Sequence, residues 1–134
     1  MSTPQGKSYF RGYDALLFGA AAAWNLVGGA ILLVNPEWQL TRLGIHDQQA
    51  VWAVRSLGSS AIAWGLGYLL IAIDSDRFHQ FIWLGLISKT IFALVTAWGL
   101  AEGALQGSAL VPGAIDLILA LLFAERLLAR RRAE

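Results

Sequence analysis

The sequence predicts an all-α protein: a four-helix transmembrane bundle with both termini on the cytoplasmic side. Three observations predict it. Hydrophobic residues make up 57% of the 134-residue chain and charged residues only 14%, well below the about 25% usual in soluble domains. The apolar residues fall into four long runs, each close to the ~20 residues that cross a ~30 Å hydrocarbon core. The basic residues alternate from one connection to the next: Lys7, Arg11, Arg77, Arg126, Arg130, Arg131 and Arg132 fall on the N-terminus, the second loop and the C-terminus, while the first and third loops offer only Arg42. Positive charge stays inside, so the termini and the second loop are expected in the cytoplasm.

The chain reads as one transmembrane domain with spans at approximately 13–34, 50–73, 81–100 and 109–128. Residues 1–12 are polar, with Pro4 and Gly6, and lack the pattern of a signal peptide. Tyr9, Phe10 and Tyr13 beside Lys7 and Arg11 suit an interfacial anchor. The first span begins beside Asp14, placed where a helix dipole favours a carboxylate. It contains Asn25 and stops at Asn35-Pro36. In the first loop Trp38, Leu40, Leu43 and Ile45 suit a short interfacial helix. The second span carries Arg55 in its first turns. The short turn at 74–80 predicts that the second and third spans form an antiparallel hairpin. The third span places Lys89 near its middle, and the fourth opens with Pro112-Gly113, followed by Asp116. The arginines at the C-terminal end suit a juxtamembrane anchor on anionic lipid and are too few for a nucleic-acid footprint.

Several chemistries are excluded by residue type and place. The chain has no cysteine, hence no disulfide, thiolate metal site, iron–sulfur ligation or cysteine nucleophile. His46 and His79 lie in loops on opposite sides, so they share neither a metal nor a haem, and only a single axial ligand stays open. No phosphate-loop pattern occurs, and mid-membrane serines cannot meet loop histidines in a catalytic triad. No catalytic residue and no metal ligand is expected.

The candidate site is an intramembrane polar cluster of Asn25, Arg55, Lys89 and Asp116. A central ammonium costs ~2.5–3.5 kcal/mol on insertion scales, so Lys89 needs a carboxylate or a wet cavity. At 1.5 Å rise per residue from the cytoplasmic edge, Lys89 lies at roughly 13 Å, Asn25 at roughly 18 Å, Asp116 at roughly 20 Å and Arg55 at roughly 23 Å. Each sits among small residues at i, i+3 and i+4: Asn25 with Ala21, Ala22, Gly28 and Gly29; Arg55 with Gly58, Ser59, Ile62 and Gly65; Lys89 with Gly85, Phe92, Ala93 and Thr96; Asp116 with Pro112, Gly113 and Ala120. Small residues allow membrane helices to pack closely, so these stripes are expected to face the bundle centre. Asp116 with Lys89 or Arg55 reads either as a buried ion pair fixing helix register or as part of a proton, ion or ligand path. Lys89 is the preferred partner, because the third and fourth spans are joined by a short loop.

The order WN-x-x-GG at 24–29, Asn35-Pro36, Trp52 followed by Gly58, GLGYLLIAID at 65–74, a basic-aromatic turn at 77–79, GLISK at 85–89 and the membrane Asp116 resembles an uncharacterised family of small bacterial four-helix integral membrane proteins. The resemblance runs over nearly the whole chain and implies the same four-span fold in a bacterial inner membrane. Some members carry an alkyl hydroperoxide reductase label. That chemistry needs a peroxidatic cysteine, which this chain lacks.

Function reads first as a non-catalytic accessory or scaffold subunit, or a self-associating bundle, in a membrane complex. A small oligomeric transporter or channel using Lys89, Asp116 and Arg55 is the second reading. A lipid- or quinone-binding membrane protein is the third. Expected partners are membrane lipids and either further copies or other membrane subunits, not nucleic acid. No cofactor is required, with a bound lipid or quinone left open.

Overall fold

The computed structural model describes residues 4–105 and 107–133, with side chains over 11–105 and 107–132. The described residues are helical apart from short connections, in the order α1 (Pro4–Val34), α2 (Pro36–Arg42), α3 (Gln48–Ile73), α4 (Gln80–Ala101), a 3-10 turn (Gly107–Ala109) and α5 (Leu110–Ala133). Within α1, α3, α4 and the 107–132 segment lie four stretches long and apolar enough to cross a membrane, as the four apolar runs predict. The helices run up and down. One end, the terminal end, carries the start of α1, the end of α5 and the α3–α4 turn. The loop end carries α2 and the α4–α5 connection.

Local chemistry sets most boundaries. The Asn35 side chain accepts from the Trp38 N–H at 3.3 Å, and Pro36 occupies the first turn of α2, so the Asn-Pro pair ends one helix and starts another. Asp47 caps α3 by accepting from the Gln49 N–H at 3.1 Å. Gly103, with φ of 69°, follows the end of α4 and donates its N–H to the Leu100 carbonyl, a left-handed position that glycine fills without a Cβ penalty. α1 departs from expectation at its start. It is already helical at Pro4, so Asp14 sits in its third turn rather than at an N-terminus. The anchor expected of Lys7, Tyr9 and Phe10 lies outside the described side chains.

Helix pairing adds a detail that the turns alone do not set. The short turn sets α3 and α4 antiparallel and in contact, as predicted, but α3 packs most closely on α1, and α4 on α5. A turn makes two helices antiparallel, but small residues decide which backbones touch. A Cβ on Gly58 would lie 2.7 Å from the Gly29 carbonyl oxygen, and one on Gly29 equally close to that of Gly58. On the other pair, a Cβ on Gly113 would lie 2.8 Å from Thr96 Cγ2.

Between the two pairs lies a core of large side chains, including Leu17, Phe18, Tyr68, Ile71, Ile82, Leu119, Phe123 and Leu127. The Phe18 and Phe123 rings are 4.9 Å apart, and Tyr68 meets Phe123 edge-on at 5.4 Å. Gly85 makes room for them, since its Cβ would lie 2.7 Å from Tyr68 Cε1. Apart from Leu119, near the middle of α5, these residues come from the terminal half of their helices. Leu57, Ile91, Leu94, Val95, Leu110 and Val111, in the loop half, are exposed, as side chains facing lipid are.

Candidate functional site

The core stripe of α5 orders the polar groups. Asp116, Leu119, Phe123, Arg126 and Arg130 follow at i, i+3, i+7, i+10 and i+14 on one helical face. Two ion-pair sites hang from this stripe, one mid-helix and one at the terminal end.

At the mid-helix site Lys89 Nζ donates to Asp116 Oδ1 at 2.7 Å, and both residues are buried. The ammonium also lies 5.4 Å from the centroid of the Tyr68 ring, whose face attracts a cation. Lys89 thus has a carboxylate from α5 and an aromatic ring from α3, which links the two helix pairs.

The other members of the expected cluster stand apart. Arg55 is half-buried and stacks over Trp52 with its Cζ 5.0 Å from the ring centroid. Among the described residues no hydrogen bond or ion pair joins it to Asp116, and its Nε is buried without a hydrogen-bond partner. Asn25 Nδ2 is likewise buried and unpartnered. Ser59, expected on the inward stripe of Arg55, is exposed and donates to the Ser56 carbonyl at 2.8 Å. Phe92, expected inward beside Lys89, is 37% exposed. Gly58 and Gly65 do face inward. The two-sided outcome on α3 has a geometric cause: residues i and i+4 differ by about 40° around a helix, so a stripe four residues long already turns off one contact line.

The terminal-end site joins residues that the sequence reading kept separate. Asp14 is 1% exposed and Arg126 3%. Arg126 sets Nε on Asp14 Oδ1 and Nη2 on Oδ2, the latter at 3.1 Å, a two-pronged guanidinium–carboxylate contact. Arg130 Nη2 donates to Asp14 Oδ2 at 3.0 Å and to Ser75 Oγ at 2.8 Å, and Ser75 Oγ donates to the same carboxylate at 2.5 Å. Arg130 Nη1 reaches Asp76 at 3.3 Å, and Arg11 meets Asp76 at 3.5 Å on the surface. Beside them Tyr13 donates its hydroxyl to Glu125 at 2.9 Å.

This corrects the reading of the C-terminal arginines as an anchor. Arg126 and Arg130 fold inward, and only Arg131 and Arg132 are exposed, Arg131 lying 5.1 Å over the Trp83 ring. It also corrects the role of Asp14: guanidinium groups, not a helix dipole, answer its charge. The signal was present in the sequence. Arg126 and Arg130 are four residues apart, so they share a face with Asp116 and Phe123. A lone aspartate three turns into an apolar helix needs a partner at the same depth.

Both sites are electrostatic contacts between helices, and in the terminal-end site Arg130 Nε is buried without a hydrogen-bond partner. Among the described residues no group of three or more His, Cys, Asp or Glu side chains is placed to hold a metal. His79 Nδ1 lies 2.9 Å from the Asp76 carbonyl at the terminal end, while His46 is exposed in the loop after α2. No family model, no curated protein and no solved structure matches the chain.

Proposed function

We propose that this chain is a non-catalytic integral membrane protein, an accessory subunit or self-associating bundle, whose buried charges lock its helices in register. The observation that carries the reading is an exposed stripe of small residues on α3. Ser56, Ser60, Ala63 and Gly67 recur at i, i+4, i+7 and i+11, on the face opposite Gly58 and Gly65. Ser56, Ser60 and Ala63 are exposed, and nothing lies within 4 Å of a Cβ placed on Gly67. Small residues in the middle of a span are the ones that admit another helix at close range. The serine hydroxyls already bond to their own helix, Ser56 to the Trp52 carbonyl and Ser60 to that of Ser56, so they offer a flat surface with no unmet donor.

The ion pairs support the same reading. Lys89 and Asp14 are each matched by an acid or base from a neighbouring helix, which suits interhelical locks better than a relay that must give up its proton or ion. The cytoplasmic placement of the terminal end, the bacterial inner membrane and the family suggested by the motifs belong to the same proposal. Purification of the full chain in mild detergent, with mass spectrometry of what accompanies it, tests the proposal. Further copies or foreign membrane subunits are expected, and Ala63→Leu is expected to release them. A chain that runs as a lone monomer would overturn it. A C-terminal reporter active only in the periplasm is expected to stay silent.

A further inference from the structure

The terminal end of the α1/α3 pair contains a cavity of about 430 Å³, lined by Arg11, Gly12, Ala15, Ala72, Ile73, Asp74 and Ser75. Its volume lies within the ~300–1,000 Å³ of small-molecule sites. Its lining is divided in kind. Arg11 supplies a guanidinium, 75% exposed, whose contact with Asp76 is a loose 3.5 Å. Asp74 supplies a carboxylate, fixed in the turn because its Oδ1 accepts the Arg77 N–H at 3.1 Å. The rest of the wall is glycine, alanine, isoleucine and Ser75, whose hydroxyl is engaged with Asp14 and Arg130. Gly12 is one of the lining residues, and a Cβ placed on it would meet nothing within 4 Å, so a larger side chain has room there. Ile73, in the lining, and Leu16, next to Ala15, are 73% and 75% exposed.

We propose that this cavity binds the headgroup of a zwitterionic phospholipid of the ethanolamine type. The phosphate meets the Arg11 guanidinium, a donor fork suited to phosphate oxygens. The primary ammonium meets the Asp74 carboxylate, and the acyl chains run along Ile73 and Leu16. One cation and one anion in the same cavity match a headgroup that carries both charges. A choline headgroup has no N–H to donate to Asp74, and a glycerol headgroup brings no cation. The inference rests on reading the four apolar helices as membrane spans, which puts the terminal end of α1 and α3 at headgroup level.

The test is native mass spectrometry of the full chain in mild detergent, titrated with phosphatidylethanolamine, phosphatidylcholine and phosphatidylglycerol. Phosphatidylethanolamine is expected to be retained over the other two. Arg11→Gln removes a charged hydrogen-bond partner and is expected to weaken that retention about ten-fold. Gly12→Leu fills the cavity from an open position and is expected to do the same. Leu117→Ala, exposed on α5 and outside the lining, is expected to change nothing. Equal retention of the three lipids by the native chain, or unchanged phosphatidylethanolamine binding in Arg11→Gln or Gly12→Leu, would overturn the proposal. A chain released from membranes without detergent would instead fail the membrane reading on which it rests.

Discussion

The terminal and loop halves of the bundle are held together by different means. In the terminal half the two helix pairs are joined to each other. Phe18, Tyr68 and Phe123 pack across the seam, and Asp14 of α1 is gripped by Arg126 and Arg130 of α5. In the loop half each pair is held within itself, by Gly29 against Gly58 and by Gly113 against Thr96. Among the described residues, the hydrogen bonds, ion pairs and ring contacts that cross between the pairs run from Asp14 up to Lys89 over Tyr68, and stop there. The difference teaches that in a lipid-like solvent, where burial of apolar surface drives little, close packing and polar contacts decide which helices meet.

The largest effect is expected where the joint is most charged. Asp14→Asn keeps the shape of the side chain and leaves the buried Arg126 and the partly buried Arg130 facing a neutral amide. Removing one partner of a buried ion pair costs about 3–5 kcal/mol, and the loss should appear as a lowered unfolding midpoint in detergent. A midpoint close to that of the native chain would mean that the terminal half does not depend on this joint.

Next is the mid-helix pair. Asp116→Leu should destabilise by an amount approaching the same ~3–5 kcal/mol, because Lys89 is left buried and unpaired. Adding Lys89→Met should recover most of the loss, since replacing both members of such a pair with apolar residues is often close to neutral. Additive losses in the double variant would show that Lys89 and Asp116 act on stability independently, contrary to their contact.

A smaller effect is expected in the loop half. Gly58→Ala places a Cβ against the Gly29 carbonyl and the Leu33 backbone nitrogen, neither of which can rotate away. α1 and α3 must separate slightly, at about 1–3 kcal/mol. Gly65→Leu should fall in the same range, because its nearest neighbour is the Leu26 side chain, which can shift only partly. The smallest effect belongs to Leu70→Ala, at an exposed position on the same helix, where changes usually stay within about 0.5 kcal/mol. If thermal unfolding moved equally for Gly58→Ala and Leu70→Ala, the assignment of faces on α3 would be wrong.

The sequence by itself determined the four spans, their antiparallel order and the short helix after the first, because each follows from local composition: a run of apolar residues, an Asn-Pro stop, an amphipathic loop. It also placed Lys89 and Asp116 at depths from which they could meet, because depth follows from counting residues at a constant rise. Only the tertiary structure decided the partners. Arg55 lies at a compatible depth, yet its guanidinium stacks on Trp52, because rotation of one helix against another is set by packing and not by depth. Asp14 found Arg126 across the whole length of the chain, and α3 chose α1 over its neighbour in sequence. Those choices depend on which surfaces are flat enough to approach, here the facing glycines 29 and 58, and that complementarity exists only once two helices are set side by side.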